Sequence, residues 1–334
     1  MLLTEYLLIR IQEKKARLDD LRPLPPAIIR RLNERFNVEW IYNSNAIEGS
    51  TLTLRETQLV LERGITIGGK SLREHFEVVN HQEAILMVES LASGESPLSS
   101  FTVRQLHALV LAKIDDINAG QYRNVPVRIV GAIHEPPPSW DLPAQMDGWS
   151  SWLQAEEGTM ETVALAALAH HKLAAIHPFI DGNGRTARLI MNLILMRVGY
   201  PPAIIAQSDR QQYYRVLAQA DAGKTMPLVN FVGRAVERSL TLYLEAVTPQ
   251  TAPLPQEERW ILLREAAEQV PYSQAYLSLL ARTGRLEALK RGRNWYTTRQ
   301  ALVAYMTSVD KGETAVSPKI QFPKTHRAIR NSPH

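Results

Sequence analysis

The sequence contains no cysteine. That excludes disulfides, thiolate nucleophiles and every metal site built on sulfur, and it fits a reducing, cytoplasmic setting. It also lacks any run approaching the roughly 20 apolar residues of a membrane span, so no membrane partner is expected. The opening segment, MLLTEYLLIRIQEKKARLDD, carries charge from Glu5 onward and holds no unbroken apolar stretch, which argues against a secretory signal. No internal repeat is visible. What is present is ordinary for a soluble globular protein: 334 residues, 45% hydrophobic and 22% charged, enough for one large domain or two to three smaller ones. The net charge of +4 is unevenly spread. Residues 259–334 hold 13 Lys and Arg against 5 Asp and Glu, a balance of +8, which leaves −4 for the first 258 residues. A basic partner surface therefore belongs to the C-terminal end.

The hydrophobic period predicts a mainly α fold. Residues 1–95 read as a helical region, broken at Pro23, Pro25 and Pro26, with a helix over 54–63 that stops at Gly64 and another from Ser71. Further helices are expected over 102–112 and 146–155. The segment 161–176 is rich in Ala, Leu and Val on every face, as a buried central helix would be. The next helix, 184–198, ends at Gly199 and Pro201. VPVRIVG, residues 125–131, alternates and is rich in β-branched residues, so it is the best strand candidate and one arm of a short hairpin. The main domain covers 96–245. A proline-rich, uncharged linker follows at 246–258, then a compact module of short helices and a small hairpin at 259–308, and a polar, proline-broken tail at 309–334 expected to be disordered.

The chemistry concentrates in AIHPFIDGNGRTARLI, residues 175–190. Pro178 disfavours the α conformation at His177, which places His177 at the mouth of the central helix. Gly182 and Gly184 bracket Asn183, so successive backbone N–H groups can turn inward as an anion nest, and the next helix aims its free N–H groups at the same spot. Arg185 and Arg188 sit in its first turn, where each cation opposes the helix dipole at about 0.3–1 kcal/mol. That placement makes sense if a polyanion occupies the nest. Asp181, at its edge, is suited to hold a divalent metal against phosphates, and His177 to act as a general base. Together these parts describe metal-assisted transfer from a nucleotide to a hydroxyl.

HPFIDGNGRTAR, residues 177–188, resembles the signature of the Fic family, HPFx(D/E)GNGRxxR, and matches it at every defined position. The resemblance covers roughly residues 30–245. It implies a Fic-type helical core with a β-hairpin flap and an enzyme that moves AMP from ATP, with Mg²⁺, onto a Ser, Thr or Tyr hydroxyl of a protein, itself included. His177 would be the base and Asp181 the metal ligand. Gly182, Asn183, Gly184 and Thr186 would surround the phosphates, clamped by Arg185 and Arg188, with Phe179 anchoring the loop. The segment VRIVGAIHEPPP resembles the flap, which pairs with the target backbone; its Val130, Gly131, Ala132 and Ile133 would touch the nucleotide. QQYYRVLAQAD resembles the adenine side, implying Tyr213, Tyr214 and Asp221, where relatives often carry Asn in place of Asp221.

Ser44-Asn45-Ala46-Ile47-Glu48-Gly49 matches the inhibitory pattern of that family, (S/T)xxxE(G/N). Ser44 and Glu48 share one helix face and Gly49 ends the helix. The resemblance implies that Glu48 pairs with Arg188 and blocks the γ-phosphate, and some relatives with this Glu remove AMP instead. Two rival readings stay open. Gly64 to Ser71 fits the P-loop expression GxxxxGK[ST], as in a phosphotransferase, although a helical RETQLVLER stands where a buried strand is needed. Residues 259–308 resemble a winged helix-turn-helix domain, with six basic residues and one acid between 282 and 299. Such a module serves DNA binding, protein docking or homodimerisation, so a DNA-binding regulator with a nucleotide-sensing core is the non-enzyme alternative.

Overall fold

The structure, a computed structural model, describes residues 2–94, 96–129, 134–247, 260–268, 270–292 and 294–310. The chain divides into two units, Met1–Thr248 and Pro249–His334. In the first unit the helices are α1 (Glu5–Asp20), α2 (Pro26–Ile47), α3 (Leu54–Arg63), α4 (Leu72–Ala92), α5 (Ser100–Leu111), α6 (Leu142–Glu156), α7 (Thr162–Ile176), α8 (Asn183–Arg197), α9 (Arg210–Asp221) and α10 (Met226–Val247). Short-range chemistry sets their ends. Pro26 opens α2 at a position where its missing N–H costs nothing. Thr53 with Glu56, and Ser71 with Glu74, form reciprocal capping boxes on α3 and α4. Gly64 closes α3 at φ 61°.

The centre is the packed pair α7 and α8. Nearly every residue from Val163 to His170 is buried, and so is Arg185 through Leu195. The small residues of α7 let neighbouring helices approach closely, which explains an apolar composition without a one-sided stripe. α4 and α5 pack on α8, α6 and α10 pack on α7, and α1 packs on α10. One core runs from Leu3 to Val247 and so draws on both 1–95 and 96–245. Truncating a fully buried member such as Leu189 or Ile190 to alanine should cost about 2–5 kcal/mol.

The second unit has its own small core, including Leu263, Leu277, Leu280, Leu286 and Leu302. Its order is β1 (Ile261–Leu262), α11 (Leu263–Ala267), α12 (Gln274–Arg282), β2 (Ala288–Arg291), β3 (Asn294–Thr297) and α13 (Arg299–Asp310). The antiparallel sheet runs β1-β3-β2, with Lys290 opposite Trp295. Ser273 caps α12 by accepting the Tyr276 N–H. The two-residue β1 has no signal in the sequence; pairing with Tyr296 and Thr297 alone makes it a strand.

One expectation fails over the described residues, others fall outside them, and the rival P-loop reading meets a helix where it needs a strand. Residues 125–129 carry no strand, because Pro126 lacks a donor and the Val125 carbonyl accepts from Arg123 Nη1 at 3.1 Å rather than from a ladder. The flap residues 130–133, most of the linker and the tail beyond 310 lie outside the described residues. Gly64–Ser71 follows a helix rather than a strand, and Lys70 Nζ donates to the Thr51 carbonyl (2.6 Å) and hydroxyl (3.0 Å) while Ser71 caps α4. It is a connecting loop. Lys70→Ala should therefore leave ATP affinity unchanged in a titration. A hundredfold loss, about 2.8 kcal/mol of a direct phosphate contact, would revive the P-loop.

Candidate active site

The loop between α7 and α8 is held by groups that spend their hydrogen bonds on its backbone. His177 is the C-cap of α7, in the left-handed region at φ 50°, ψ 57°. Phe179, fully buried, stacks on the His107 ring from α5, with centroids 3.6 Å apart and planes at 3°. His107 Nδ1 accepts the Gly120 N–H at 2.9 Å, which leaves the proton on Nε2 to donate to the Asp181 carbonyl at 2.9 Å. Burial pushes the His107 pKa down to about 4, so this neutral tautomer holds near pH 7. The Asn183 side chain closes the turn, accepting from Phe179 N (2.9 Å) and donating to Phe179 O (2.8 Å). Arg123 braces the loop from outside. Its Nε donates to His177 O (2.8 Å), its Nη2 to Pro137 O (2.6 Å), and its N–H to Pro178 O (2.9 Å). It thereby ties the catalytic loop to the stem of the segment expected to be the flap.

His177 is thus placed on a rigid frame. Its Nδ1 lies 3.3 Å from the Ala174 carbonyl, which assigns the proton to Nδ1 and leaves Nε2 with a lone pair. Burial, followed by the Arg123 charge, outweighs the Ala174 bond and the nearby Glu48 and Asp181 carboxylates, so its pKa falls below 6.5. At neutral pH the imidazole is a base ready to take a proton.

After it comes the head of α8, a candidate anion seat. Gly182 adopts φ 75° as the N-cap of α8, and the first-turn N–H groups of a helix have no partner within it. A Cβ at Gly182 would stand 3.3 Å from the His107 ring, so glycine serves both the turn and the packing. Arg185 and Arg188 are each 3% exposed, yet Arg185 Nε and Arg188 Nη1 lack hydrogen-bond partners and Arg185 Nη1 meets only the Glu77 carboxylate, at 3.4 Å. Buried cations with unmet donors at the positive end of a helix are suited to phosphate oxygens. Asp181 completes the seat. Its Oδ1 accepts from Gly182 N (2.6 Å) and lies 3.4 Å from Arg185, while Oδ2 pairs with Arg73 of α4. Glu77, one turn further along α4, pairs with Arg73 at 3.3 Å and Arg185 at 3.4 Å.

The Asp181 carboxylate is 44% exposed, a hard oxygen donor beside unmet phosphate donors. No cluster of three metal-binding side chains occurs among the described residues. That donor set fits Mg²⁺, which keeps waters and is held by one or two carboxylates together with substrate phosphates.

Across the seat lies the end of α2. Arg188 Nε donates to the Ser44 hydroxyl at 3.0 Å, and Nη2 donates to the Ser44 carbonyl and to Glu48 Oε1, each at 2.8 Å. Burial alone would lower the Arg188 pKa; the Glu48 carboxylate and Tyr213 outweigh it and raise it. A Cβ on Gly184 would collide with Glu48 Oε1, so the carboxylate lies directly over the backbone that opens α8. Gly49 then turns the chain away at φ 108°.

Residues 97–195 match the Fic/DOC family. The fold is similar to the crystal structure of a Fic domain containing signaling protein from Bacteroides thetaiotaomicron, with TM-score 0.68 and 33% identity, covering 71% of this chain and 96% of that one. The chain belongs to the Fic family. Fic-1 from C. elegans is similar at TM-score 0.67 and 34% identity, over 74% of this chain and 73% of that one. The relative named protein adenylyltransferase Fic in Drosophila grimshawi is 39% identical over 255 residues, 75% of this chain and 52% of its own length. The protein of the same name in Nematostella vectensis is 39% identical over 248 residues, 74% and 57%. The chain spans about half the length of the curated relatives it matches.

Around this Fic loop the sequence-predicted residues fall into two groups. His177 C-caps α7, and Asp181, Gly182, Gly184, Arg185 and Arg188 gather at the head of α8 with Ser44 and Glu48 against Arg188, while the Asn183 side chain is spent on Phe179 and Thr186 is fully buried. Tyr213 is closed off from solvent behind Arg188; its hydroxyl shares a 2.8 Å hydrogen bond with His170 Nε2. Tyr214 is 39% exposed and lies under the Arg210 guanidinium. Asp221 Oδ1 pairs with His171 Nε2 at 2.8 Å. Of the adjacent histidines, His170 is a buried core residue and His171 a polar contact. Val130, Gly131, Ala132 and Ile133 lie outside the described residues. Sequence reasoning missed Arg123, His107, Arg73 and Glu77. None stands in a motif, and nothing in the local sequence marks them.

Proposed function

We propose that this chain is a protein adenylyltransferase that moves AMP from ATP to a protein hydroxyl and is held back by Glu48. The observation that carries the reading is the pair of buried arginines with unmet donors at the head of α8, one short loop from a neutral histidine. The activity named for the relatives agrees with it.

In this reading the triphosphate lies along the Gly182–Gly184 backbone, with Arg185 and Arg188 on its oxygens and Thr186 beside them. The target hydroxyl approaches His177 from the flap side. Nε2 takes its proton as the oxygen attacks the α-phosphorus. The bond from that phosphorus to the bridging oxygen breaks, and pyrophosphate leaves carrying the electron pair. Mg²⁺ bound at Asp181 would neutralise phosphate charge. The His177 carbonyl, fixed by Arg123, keeps the imidazole from drifting, and a displacement near 1 Å costs about 10²-fold in such sites. Tyr214 and Asp221 are proposed to face the base, together with flap residues 130–133, while Tyr213 steadies Arg188. The test is incubation of the wild type and Glu48→Gly with α-labelled ATP and Mg²⁺, followed by mass spectrometry. Label that never enters protein, or an adduct that is not AMP, sinks the proposal.

A second reading concerns 259–308. Arg264, Arg282 and Lys290 line a cavity of about 550 Å³ with Trp295, and no carboxylate is among the described residues that line it. We propose that this surface meets nucleic acid through backbone phosphates. Duplex affinity should then fall linearly on a log–log plot against salt, with a slope of about −0.9 per phosphate neutralised, and flatten by about one such unit in Arg282→Ala. Absence of salt-sensitive binding leaves docking or dimerisation as the role of the module.

A further inference from the structure

Arg73 has no place in the reaction described above, yet it sits on the Asp181 carboxylate. The Ser71–Glu74 capping box fixes where α4 begins and so puts Arg73 in its first turn. A cation there opposes the helix dipole, so the dipole does not favour it. Instead Arg73 and Glu77, one turn apart, close a ring of four charges with Asp181 and Arg185. The ring is unevenly buried. Arg185 is 3% exposed and Glu77 13%, whereas Arg73 is 55% and Asp181 44% exposed. Only the Arg73 side of the ring can open without stranding a charge in the core.

The oxygens of Asp181 are divided accordingly. Oδ1 is fixed by the Gly182 N–H and faces Arg185, and Oδ2 is taken by Arg73. A guanidinium on a carboxylate oxygen competes with a divalent cation for it by charge and by space, and Oδ2 is the oxygen whose partner can leave. We propose that Arg73 is a latch on Asp181, which a divalent cation must displace before it can bind, so that α4 sets the metal affinity of the site. This rests on the reading of Asp181 as the metal carboxylate. Arg73 is on this account a positioning residue; it acts only through Asp181.

The test uses the full chain, Mn²⁺ as the probe, a non-hydrolysable ATP analogue, and the electron paramagnetic resonance signal of free Mn²⁺ as the readout. Arg73→Ala should bind Mn²⁺ two- to fivefold more tightly, the range expected when an exposed pair stops competing. Arg73→Lys, which keeps the charge, should stay near wild type. In an Asp181→Asn background the Arg73→Ala gain should vanish. Unchanged or weaker binding in Arg73→Ala overturns the latch, and so does a gain that survives intact beside Asp181→Asn. If Asp181→Asn alone leaves Mn²⁺ affinity untouched, the metal assignment itself fails and the latch falls with it. Those two failures are told apart by the single Asp181 variant. Circular dichroism melts of the single variants confirm that each remains folded.

Discussion

Glu48→Gly should raise self-modification with AMP at least roughly tenfold at saturating ATP, a change that requires only about 1.4 kcal/mol. Glu48 Oε1 lies 2.8 Å from Arg188 Nη2 and stands over the Gly184 backbone, so it covers both the guanidinium and the opening of the helix that a terminal phosphate needs. An exposed ion pair rarely supplies this much energy. This one is different in kind, because Arg188 is 3% exposed and its remaining bonds go to Ser44. Removing the carboxylate leaves a buried cation short of a partner, so the variant should melt below wild type. It should also regain more of that loss than wild type gains when ATP is added, since the nucleotide then supplies the missing anion. Glu48→Gly combined with Arg188→Ala should lose the activation. An inactive Glu48→Gly, in self-modification and on several candidate targets, would discard the inhibitor and leave the His177 site standing.

His177→Ala should reduce transfer by about 10²–10⁴-fold, the usual contribution of a positioned base, while ATP binding stays within a few-fold. The separation is expected because, in the proposed reading, Arg185, Arg188 and the glycine backbone hold the phosphates without help from the imidazole. The pH profile of the Glu48→Gly protein gives an independent check. Burial holds the His177 pKa below 6.5, so the competent neutral form persists to lower pH than in an exposed histidine. Transfer should be flat from pH 7 to 8, with its acid limb below 6.5. Near-normal rates in His177→Ala, or a limb displaced above 6.5, would take the base assignment away from this residue.

How much of this could be read from the chain differs by element. α3 and α7 were legible almost to the residue, because Gly64 stops one and the all-apolar run and Pro178 define the other. The catalytic loop was legible because its residue types each have a separate task within twelve positions. The Ser44–Glu48 pair was legible as a pattern, and its reach to Arg188, 140 residues away, came from the resemblance. The bracing residues were not legible. His107 reads as one polar position on an amphipathic helix, and nothing local says that its ring will lie flat on Phe179. Arg123 precedes a proline-broken stretch, where an arginine is ordinarily a solvent-facing charge. Their roles arise only when α5, the flap stem and the loop meet. Over 125–129, the described part of the strand expected at 125–131, no strand forms for the opposite reason: local alternation was present, and Pro126 with Arg123 claimed backbone groups that a ladder would have used.

The backbone at His177 carries one last consequence. A φ of 50° is an ordinary place for glycine and an unfavourable one for any residue with a Cβ, at about 1–3 kcal/mol for such strained positions. The chain keeps an imidazole where a hydrogen would be conformationally easier, and holds it there with Arg123 and the Ala174 carbonyl. Thermostability and chemistry therefore pull this position in opposite directions. Selection for a higher melting temperature alone would drift His177 toward glycine and erase the base, whereas selection for activity keeps the strain in place.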